Sequence, residues 1–193
     1  MHSEGGAMSI PEEGGEATAP APDPEEERER AREYLLRALT ASAKSRSRLA
    51  RGLADRDVDP DIAAEVLDRF EEVGLIDDVQ YAHMLVRTRF TERGLSRRAL
   101  AAELRNKGIA EAVARDALDQ VDDDDELMAA RRLASSRAAR MTSLPPDTRR
   151  RRLAGFLGRQ GYTSSVSMQV IREVVDGADC RRRPGLSSQA PVV

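Results

Sequence analysis

Three stretches of the chain carry the same pattern of apolar residues. The pattern has seven positions, and the distance from the first copy to the second is 51 residues at all seven. From the second copy to the third it is 53 residues, again at all seven. The matched positions are Leu49, Leu53, Val58, Ile62, Val66, Leu67 and Phe70; Leu100, Leu104, Ile109, Val113, Ala117, Leu118 and Val121; and Leu153, Leu157, Tyr162, Val166, Val170, Ile171 and Val174. A fixed period of this length is typical of proteins in which one supersecondary unit is repeated and stacked on its neighbours.

The spacing inside each copy predicts two helices joined by a short turn. Leu49 and Leu53 lie one helical turn apart, and the positions from Ile62 to Phe70 follow one face of a second helix. Aromatic residues make up only 3% of the chain, so Leu, Val, Ile and Ala must form most of the core. Such a core suits helices better than sheets.

One residue in the turn should adopt a left-handed conformation in every copy. Asp57, Gly108 and Gly161 occupy the same position after the first helix of the pair. Glycine at this position is a common helix terminator because it adopts a positive φ without strain. Asp tolerates a positive φ better than most residues, so Asp57 is the least favourable of the three.

Cap residues mark where several helices begin. Asp59, followed by Pro60, and Thr163 are predicted N-caps, whereas the second copy has only Ala110 there. A further amphipathic helix precedes each pair, at 32–40, 79 to about 90, and 126 to about 140. The acidic run 122–126 is interpreted as negative charge at a helix N-terminus rather than as a metal site.

These elements predict an all-α protein of three tandem three-helix units, stacked into an elongated, curved repeat structure. The units are expected at residues 31–76, 77–122 and 123–176. Residues 1–30 are rich in Gly, Pro, Ala and Glu and predict a disordered acidic tail, and residues 177–193 predict a disordered C-terminal tail. Met8 is a second candidate start beside Met1.

Charge is distributed unevenly along the chain. The net charge is −3, but residues 1–30 hold nine acids and two bases, a net of −7. Residues 127–176 hold three acids and ten bases, a net of +7. Positive charge therefore grows toward the C-terminus.

Several classes of function find no support in the residues. No run approaches the roughly 18 consecutive apolar residues of a membrane span, and the N-terminus has no signal pattern, so a cytoplasmic location is expected. The single cysteine, Cys180, predicts neither a disulfide nor a zinc site within the chain. His83 lies in a helical pattern without the partners of a catalytic base. We expect no enzyme activity, no cofactor and no bound metal.

Two segments carry a resemblance to a known family. The segment from Gly74 to Ala82 reads GLIDDVQYA and continues to Leu85, Val86, Arg87 and Arg89, which resembles the G-L-(I/L)-(D/N)-D-x-x-(F/Y)-A signature of RecX proteins. The segment from Gly94 to Ile109 is similar to the family's G-x-(S/P)-(R/K)-x-I-x-x-E-L-x-x-(K/R)-G-(I/V) run, with Glu103 at its Glu position. The likeness spans roughly residues 31–176. It departs from the family at Asp57, where glycine is typical, and in the acidic N-terminal tail.

The resemblance implies a fold and a partner. RecX proteins consist of three tandem three-helix units, and they bind RecA along the groove of its filament on single-stranded DNA. They restrain strand exchange and filament growth during homologous recombination, DNA repair and the SOS response. The resemblance therefore implies a negative regulator of RecA, and we separately expect the protein to be a monomer.

Basic residues of the second and third units are the candidate contacts with RecA or DNA. They are Arg87, Arg89, Arg93, Arg97, Arg98, Arg105 and Lys107 in the second unit, and Arg149, Arg150, Arg151, Arg152 and Arg159 in the third. Arg98 and Arg105 are seven residues apart, so with Lys107 they are the best-placed patch on one helix face. The chain has only three Phe and three Tyr, which leaves little material for base stacking. We therefore expect weak, salt-dependent binding to nucleic acid alone.

Two alternatives remain from the residues themselves. Three-helix units with short turns also build helix-turn-helix proteins that read duplex DNA directly. Against this, the third helix of the first unit is strongly acidic and would repel phosphate. A hydrolase or nuclease using Asp61, Glu65, Asp68 and Glu72 is the second alternative. These carboxylates lie at helical spacing on an exposed face, without a nucleophile or a phosphate-binding loop.

Overall fold

The protein is a chain of helices in three successive groups. This computed structural model describes the backbone of residues 23–182 and the side chains of residues 23–175. Within that range no strand occurs, which confirms the all-α prediction. The helices are α1 Pro24–Ala41, α2 Arg46–Ala54 and α3 Pro60–Glu72 in unit 1; α4 Asp78–Arg93, α5 Arg97–Asn106 and α6 Glu111–Leu118 in unit 2; and α7 Asp123–Ala139, α8 Pro146–Arg159 and α9 Ser164–Arg182 in unit 3.

Each unit has its own apolar core, built by the repeated pattern. The two leucines that open the pattern are fully buried in every copy: Leu49 and Leu53, Leu100 and Leu104, Leu153 and Leu157. Most of the other matched positions are buried as predicted. Val58, Val113, Leu118, Val166 and Val174 are only partly buried against the cores. Since burying one such side chain contributes about 1.5–3 kcal/mol, the repeated pattern accounts for much of each unit's stability.

Both predicted tail boundaries are wrong. The chain is already helical from Pro24, because Asp23 caps α1 by accepting the N–H of Glu25, and Pro24 stands at the first helical position. Glu27 is buried, and its carboxylate accepts the main-chain N–H of Asp59 at 2.6 Å. The acidic run 25–27 is therefore the first turn of a helix. At the other end, α9 continues to Arg182 rather than ending near 176. The tail predictions for 1–22 and 183–193 lie outside the described residues.

The turn between the second and third helices has the predicted left-handed residue in all three units. The φ angles are +56° at Asp57, +74° at Gly108 and +92° at Gly161. The predicted caps are also confirmed: Asp59 accepts the N–H groups of Asp61 and Ile62, and Ala110 makes no side-chain cap bond. Asp122 caps α7, whose first turn holds the acidic run.

Adjacent units meet through the same turn. The buried hydroxyl of Ser45, which caps α2, donates to the carbonyl oxygen of Lys107 at 2.6 Å. At the equivalent place in the next junction, the main-chain N–H of Ser96 donates to the carbonyl oxygen of Gln160 at 3.0 Å. Tyr162 completes that junction, because its hydroxyl donates to the Gly94 carbonyl at 2.9 Å. The repeat thus extends to the joints between units.

Glycine is required where the turn faces a preceding unit. A Cβ on Gly108 would overlap Ser47, and a Cβ on Gly161 would lie 2.6 Å from the Cβ of Ala99. In the part of the chain that the structure describes, no unit precedes unit 1, so its turn can carry the side chain of Asp57. Among the three described turns, the departure from the family pattern therefore falls at one that meets no preceding unit.

A carboxylate from the next unit's first helix also ties each junction. The main-chain N–H of Arg46 donates to Asp78 Oδ1 at 2.8 Å, and in the next junction the carboxylate of Glu126 faces the main-chain N–H of Arg97. Burial raises the pKa of both carboxyl groups, although the accepted hydrogen bond opposes that rise. None of the helices in the described part of the chain is long and apolar enough to cross a membrane.

Candidate partner-binding surface

Four of the basic residues predicted to bind a partner are held within the structure. Arg89 pairs with Glu103, with Nε and Oε1 2.9 Å apart and both side chains about three-quarters buried. Arg97 lies 3.6 Å from Asp119 and 3.9 Å from Asp123. Arg98 donates to the carbonyl oxygen of Gly161 at 3.0 Å, which places it at the junction of units 2 and 3. Arg149 is buried, with only 6% of its surface exposed.

The ion pair of Arg97 with Asp119 has a counterpart in unit 1. Arg46 precedes Arg97 by 51 residues and pairs with Asp68 at 2.6 Å, while Asp68 precedes Asp119 by the same 51. A contact that recurs with the repeat belongs to the fold. Arg97 therefore serves to join the end of α6 and the start of α7 to α5.

The predicted patch of Arg98, Arg105 and Lys107 is only partly formed. Arg98 turns toward Gly161, whereas Arg105 is exposed and Lys107 half-buried. The backbone carbonyl of Lys107 is occupied by Ser45, but its ammonium group makes no ion pair with any described residue. Arg87 and Arg93 are exposed on α4. These four side chains are the free positive charge of unit 2.

In unit 3 the arginines of α8 other than Arg149 have two kinds of surroundings: one forms an ion pair and three line a groove. Arg150 pairs with Asp147 at 2.7 Å on the first turn. Arg151, Arg152 and Arg159 line one groove of about 530 Å³ between α8 and the end of α7. Two further arginines line it that the sequence predictions missed, Arg137 and Arg140. The net charge of +7 over 127–176 pointed to this region, but charge along the chain does not show which side chains converge.

A second groove, of about 570 Å³, lies where units 1 and 2 meet. Arg87 lines it together with Leu75 and Met84, whose side chains are 51% and 41% exposed. His83 lies at its edge, and its Nε2 is 2.8 Å from Asp116 Oδ2. The groove thus combines apolar and basic groups, as surfaces that bind proteins commonly do.

Three of the four α3 carboxylates considered as metal ligands are paired within unit 1. Glu65 lies 3.1 Å from Arg28, Asp68 2.6 Å from Arg46, and Glu72 3.0 Å from Arg69. No group of three metal-ligating side chains converges among the described residues. The three paired carboxylates therefore act as counter-charges to neighbouring arginines.

Comparisons with known proteins agree with the three-unit architecture. Family models match 31–70 as "RecX, first three-helix domain", 77–118 as "RecX, second three-helix domain" and 123–171 as "RecX, third three-helix domain". The Regulatory protein RecX of Streptomyces coelicolor is 41% identical over 141 residues, covering 73% of this chain and 75% of the relative. That of Mycobacterium sp. (strain KMS) is 40% identical over 154 residues, covering 78% and 84%.

Solved structures show the same fold. The crystal structure of RecX from Lactobacillus salivarius matches with a TM-score of 0.68 at 21% identity, covering 78% of this chain and 97% of that one. A second structure, described as regulatory protein RecX, matches with a TM-score of 0.66 at 25% identity, covering 76% and 72%. With three consecutive domain matches and relatives near 40% identity, this chain belongs to the RecX family of regulatory proteins.

Proposed function

We propose that this protein binds RecA and its filament on single-stranded DNA, and that it inhibits strand exchange and the ATPase activity of the recombinase. The family assignment supports a regulatory role. The partner itself follows from the resemblance in the GLIDDVQYA and Gly94–Ile109 segments. In this role the protein acts in the cytoplasm as a non-catalytic negative regulator of homologous recombination.

One observation carries the proposal: the units are joined in line through equivalent positions of the repeat. Unit 1 meets unit 2 at Ser45, and unit 2 meets unit 3 at Ser96. Among the described residues, no hydrogen bond or ion pair joins unit 1 to unit 3. An in-line array of similar units offers an extended surface, which suits a partner that is itself a repeating filament.

The free basic side chains of unit 2 are the proposed contacts. Arg105 and Lys107 lie at the end of α5, and Arg87 and Arg93 lie on α4. These side chains form no ion pairs with described carboxylates, whereas Arg89 and Arg97 do. Exposed like charges of this kind steer association with a negatively charged assembly. RecA on single-stranded DNA is such an assembly, because the DNA carries one negative charge per nucleotide.

The test is a titration of this protein into RecA filaments on single-stranded DNA, with ATP hydrolysis and strand exchange as readouts. We expect inhibition at substoichiometric to stoichiometric ratios. The variant Arg105→Glu, Lys107→Glu should inhibit at least about tenfold less well, since two charge-assisted contacts are reversed. No inhibition by the unaltered protein at stoichiometric ratios would refute the proposal.

A matched control separates local contact from overall charge. Arg30→Glu, Arg48→Glu makes the same change of net charge on exposed residues of unit 1. It should inhibit like the unaltered protein, and circular dichroism should show equal helicity for both variants. If the two double variants lose inhibition equally, the unit 2 contacts are wrong although the RecA partnership stands.

A further inference from the structure

The groove in unit 3 concentrates positive charge in one place. We call it the arginine groove and define it by its five basic lining residues, Arg137, Arg140, Arg151, Arg152 and Arg159. All five are exposed, and the remaining lining residues are Met141 and Gly155. No carboxylate lines the groove.

Two helices position these arginines. Arg137 lies in the last turn of α7, and its guanidinium stacks 4.8 Å above the ring of Phe156 on α8. On α8, Arg151 and Arg159 stand four residues before and after Gly155, so all three share one face. Because Gly155 has no side chain, the floor of the groove stays open. A Cβ added to Gly155 would lie 3.5 Å from Arg159 Nη1.

The carboxylates of unit 3 do not neutralise this cluster. Glu173 pairs with Arg131, and Asp147 pairs with Arg150. None of the five groove arginines lies within ion-pair distance of any carboxylate that the structure describes. Five like charges around about 530 Å³ repel one another, and a bound polyanion relieves that repulsion.

The chemistry of the groove selects phosphate. Guanidinium groups present a planar fork of donors that matches phosphate oxygens. Base recognition requires a free aromatic face or groove-reading polar groups, but the ring of Phe156 is covered by Arg137. The groove therefore suits a sugar-phosphate backbone whose bases point away from the protein.

We propose that the arginine groove binds the phosphodiester backbone of single-stranded nucleic acid without reading its sequence. A single strand bends readily, so successive phosphates can enter a cleft between two helices. A duplex is stiff over about 150 base pairs and presents its phosphates on a cylinder. The inference goes beyond the recombinase partnership, because the groove binds the strand in the absence of any other protein.

The test measures binding of the full chain to a fluorescent oligothymidylate of about 16 nucleotides by anisotropy, without recombinase, across a salt series. Affinity should fall linearly with salt on logarithmic axes. Arg152→Gln, Arg159→Gln should lower the affinity at least about tenfold at low salt and reduce the salt slope by about 1.4, or about 0.7 per lost phosphate contact. Arg30→Gln, Arg48→Gln should change neither quantity.

A second pair of variants tests the groove rather than the charge count. Gly155→Glu places a carboxylate on the floor among the arginines, whereas Gly158→Glu, on the same helix, meets nothing within 4 Å. Only the first should abolish binding. Equal losses for the two, or a salt slope unchanged in the arginine variant, would overturn the assignment of the groove.

The choice of ligand is tested by competition. If the protein binds a duplex of the same length as tightly as the single strand, or more tightly, the single-strand assignment is refuted. Displacement by poly-glutamate of equal charge at equal concentration refutes phosphate selectivity. The result is independent of the proposed function: a protein that inhibits RecA but does not bind the oligonucleotide contradicts only this inference, and the reverse outcome contradicts only the recombinase proposal.

Discussion

The contact between units 1 and 2 depends on the missing side chain at Gly108. Its φ is +74°, and an added Cβ would overlap the Cβ and Oγ of Ser47 on α2. Gly74 has almost the same φ, +73°, but a Cβ there would meet nothing within 4 Å. The two glycines therefore allow backbone strain to be separated from steric overlap.

The expected magnitudes follow from that difference. Gly74→Ala places alanine in a left-handed conformation, which costs about 1–2 kcal/mol. Gly108→Ala carries the same cost and adds overpacking of about 1–3 kcal/mol, for a total of about 2–5 kcal/mol. The free-energy cost of the overlap cannot exceed the free energy that the contact between units 1 and 2 contributes. The two units can instead separate, with loss of the hydrogen bond from Ser45 to Lys107.

A double-mutant cycle measures the steric part directly. Ser47→Gly removes both overlapping atoms and leaves the Cα of residue 47, which lies 3.9 Å from the added Cβ, at ordinary contact distance. Ser47→Gly combined with Gly108→Ala should recover about 1–3 kcal/mol relative to the sum of the single changes. Urea unfolding followed by circular dichroism gives the free energies, and hydrogen exchange at the start of α2 shows whether the junction opens.

The result that refutes this reasoning is equal destabilisation by Gly108→Ala and Gly74→Ala, with a coupling energy near zero. In that case glycine at 108 serves only the backbone conformation, and the units do not require close approach at the turn. Gly161→Ala provides a second instance, because its Cβ would lie 3.2 Å from the backbone nitrogen of Ala99, which cannot move away independently of α5.

Three further predictions concern burial and ionisation. Leu104→Ala should cost about 2–5 kcal/mol in urea unfolding, because Leu104 is fully buried, whereas Leu36→Ala, half-exposed, should cost less than about 1 kcal/mol. Burial raises the pKa of Tyr162 to about 12, so stability should be lost as the pH rises from 10 through 12. Tyr162→Phe should remove both this loss of stability and the phenolate absorbance step at the highest pH. At neutral pH the same variant should lose about 0.5–1.5 kcal/mol, because the hydrogen bond to the Gly94 carbonyl is missing. Burial also raises the pKa of Asp78, so this carboxyl group contributes most to stability below its ordinary pKa, and the contribution is lost as the pH rises through the pKa of the folded state. Asp78→Asn keeps an acceptor for the Arg46 N–H and should make stability less dependent on pH in this acidic range. A stronger pH dependence in the variant would contradict the account.

Much of the fold could be read from local patterns. Leu49 and Leu53 and their counterparts show helical spacing, and the period of 51 and 53 residues shows that the unit recurs. The left-handed turns at Asp57, Gly108 and Gly161 followed from residue type and position, because conformational preference acts on each residue separately. The start of α1 was missed because the acidic run 25–27 has the composition of a tail, whereas burial of Glu27 against the backbone of Asp59 requires the folded unit.

The candidate site was less predictable for a physical reason. Whether an arginine is available depends on carboxylates and carbonyls that lie far away along the chain. Arg98 is bound by Gly161, Arg97 by Asp119 and Asp123, and Arg149 is buried, although all three look like free basic residues in the sequence. Conversely, Arg137 joins Arg152 only because α7 and α8 pack together.

The sequence alone therefore determined the helices, their threefold repetition and the family, since these depend on periodicity and on short segments. Tertiary structure alone decided which positive charges remain uncompensated and where they converge, since ion pairing depends on distances of a few ångströms between separate elements. The tertiary structure also explains why the turn of unit 1 can carry Asp57 at the position where the later turns need glycine. An added Cβ at Gly108 or Gly161 would meet the preceding unit, whereas no unit precedes unit 1 among the described residues.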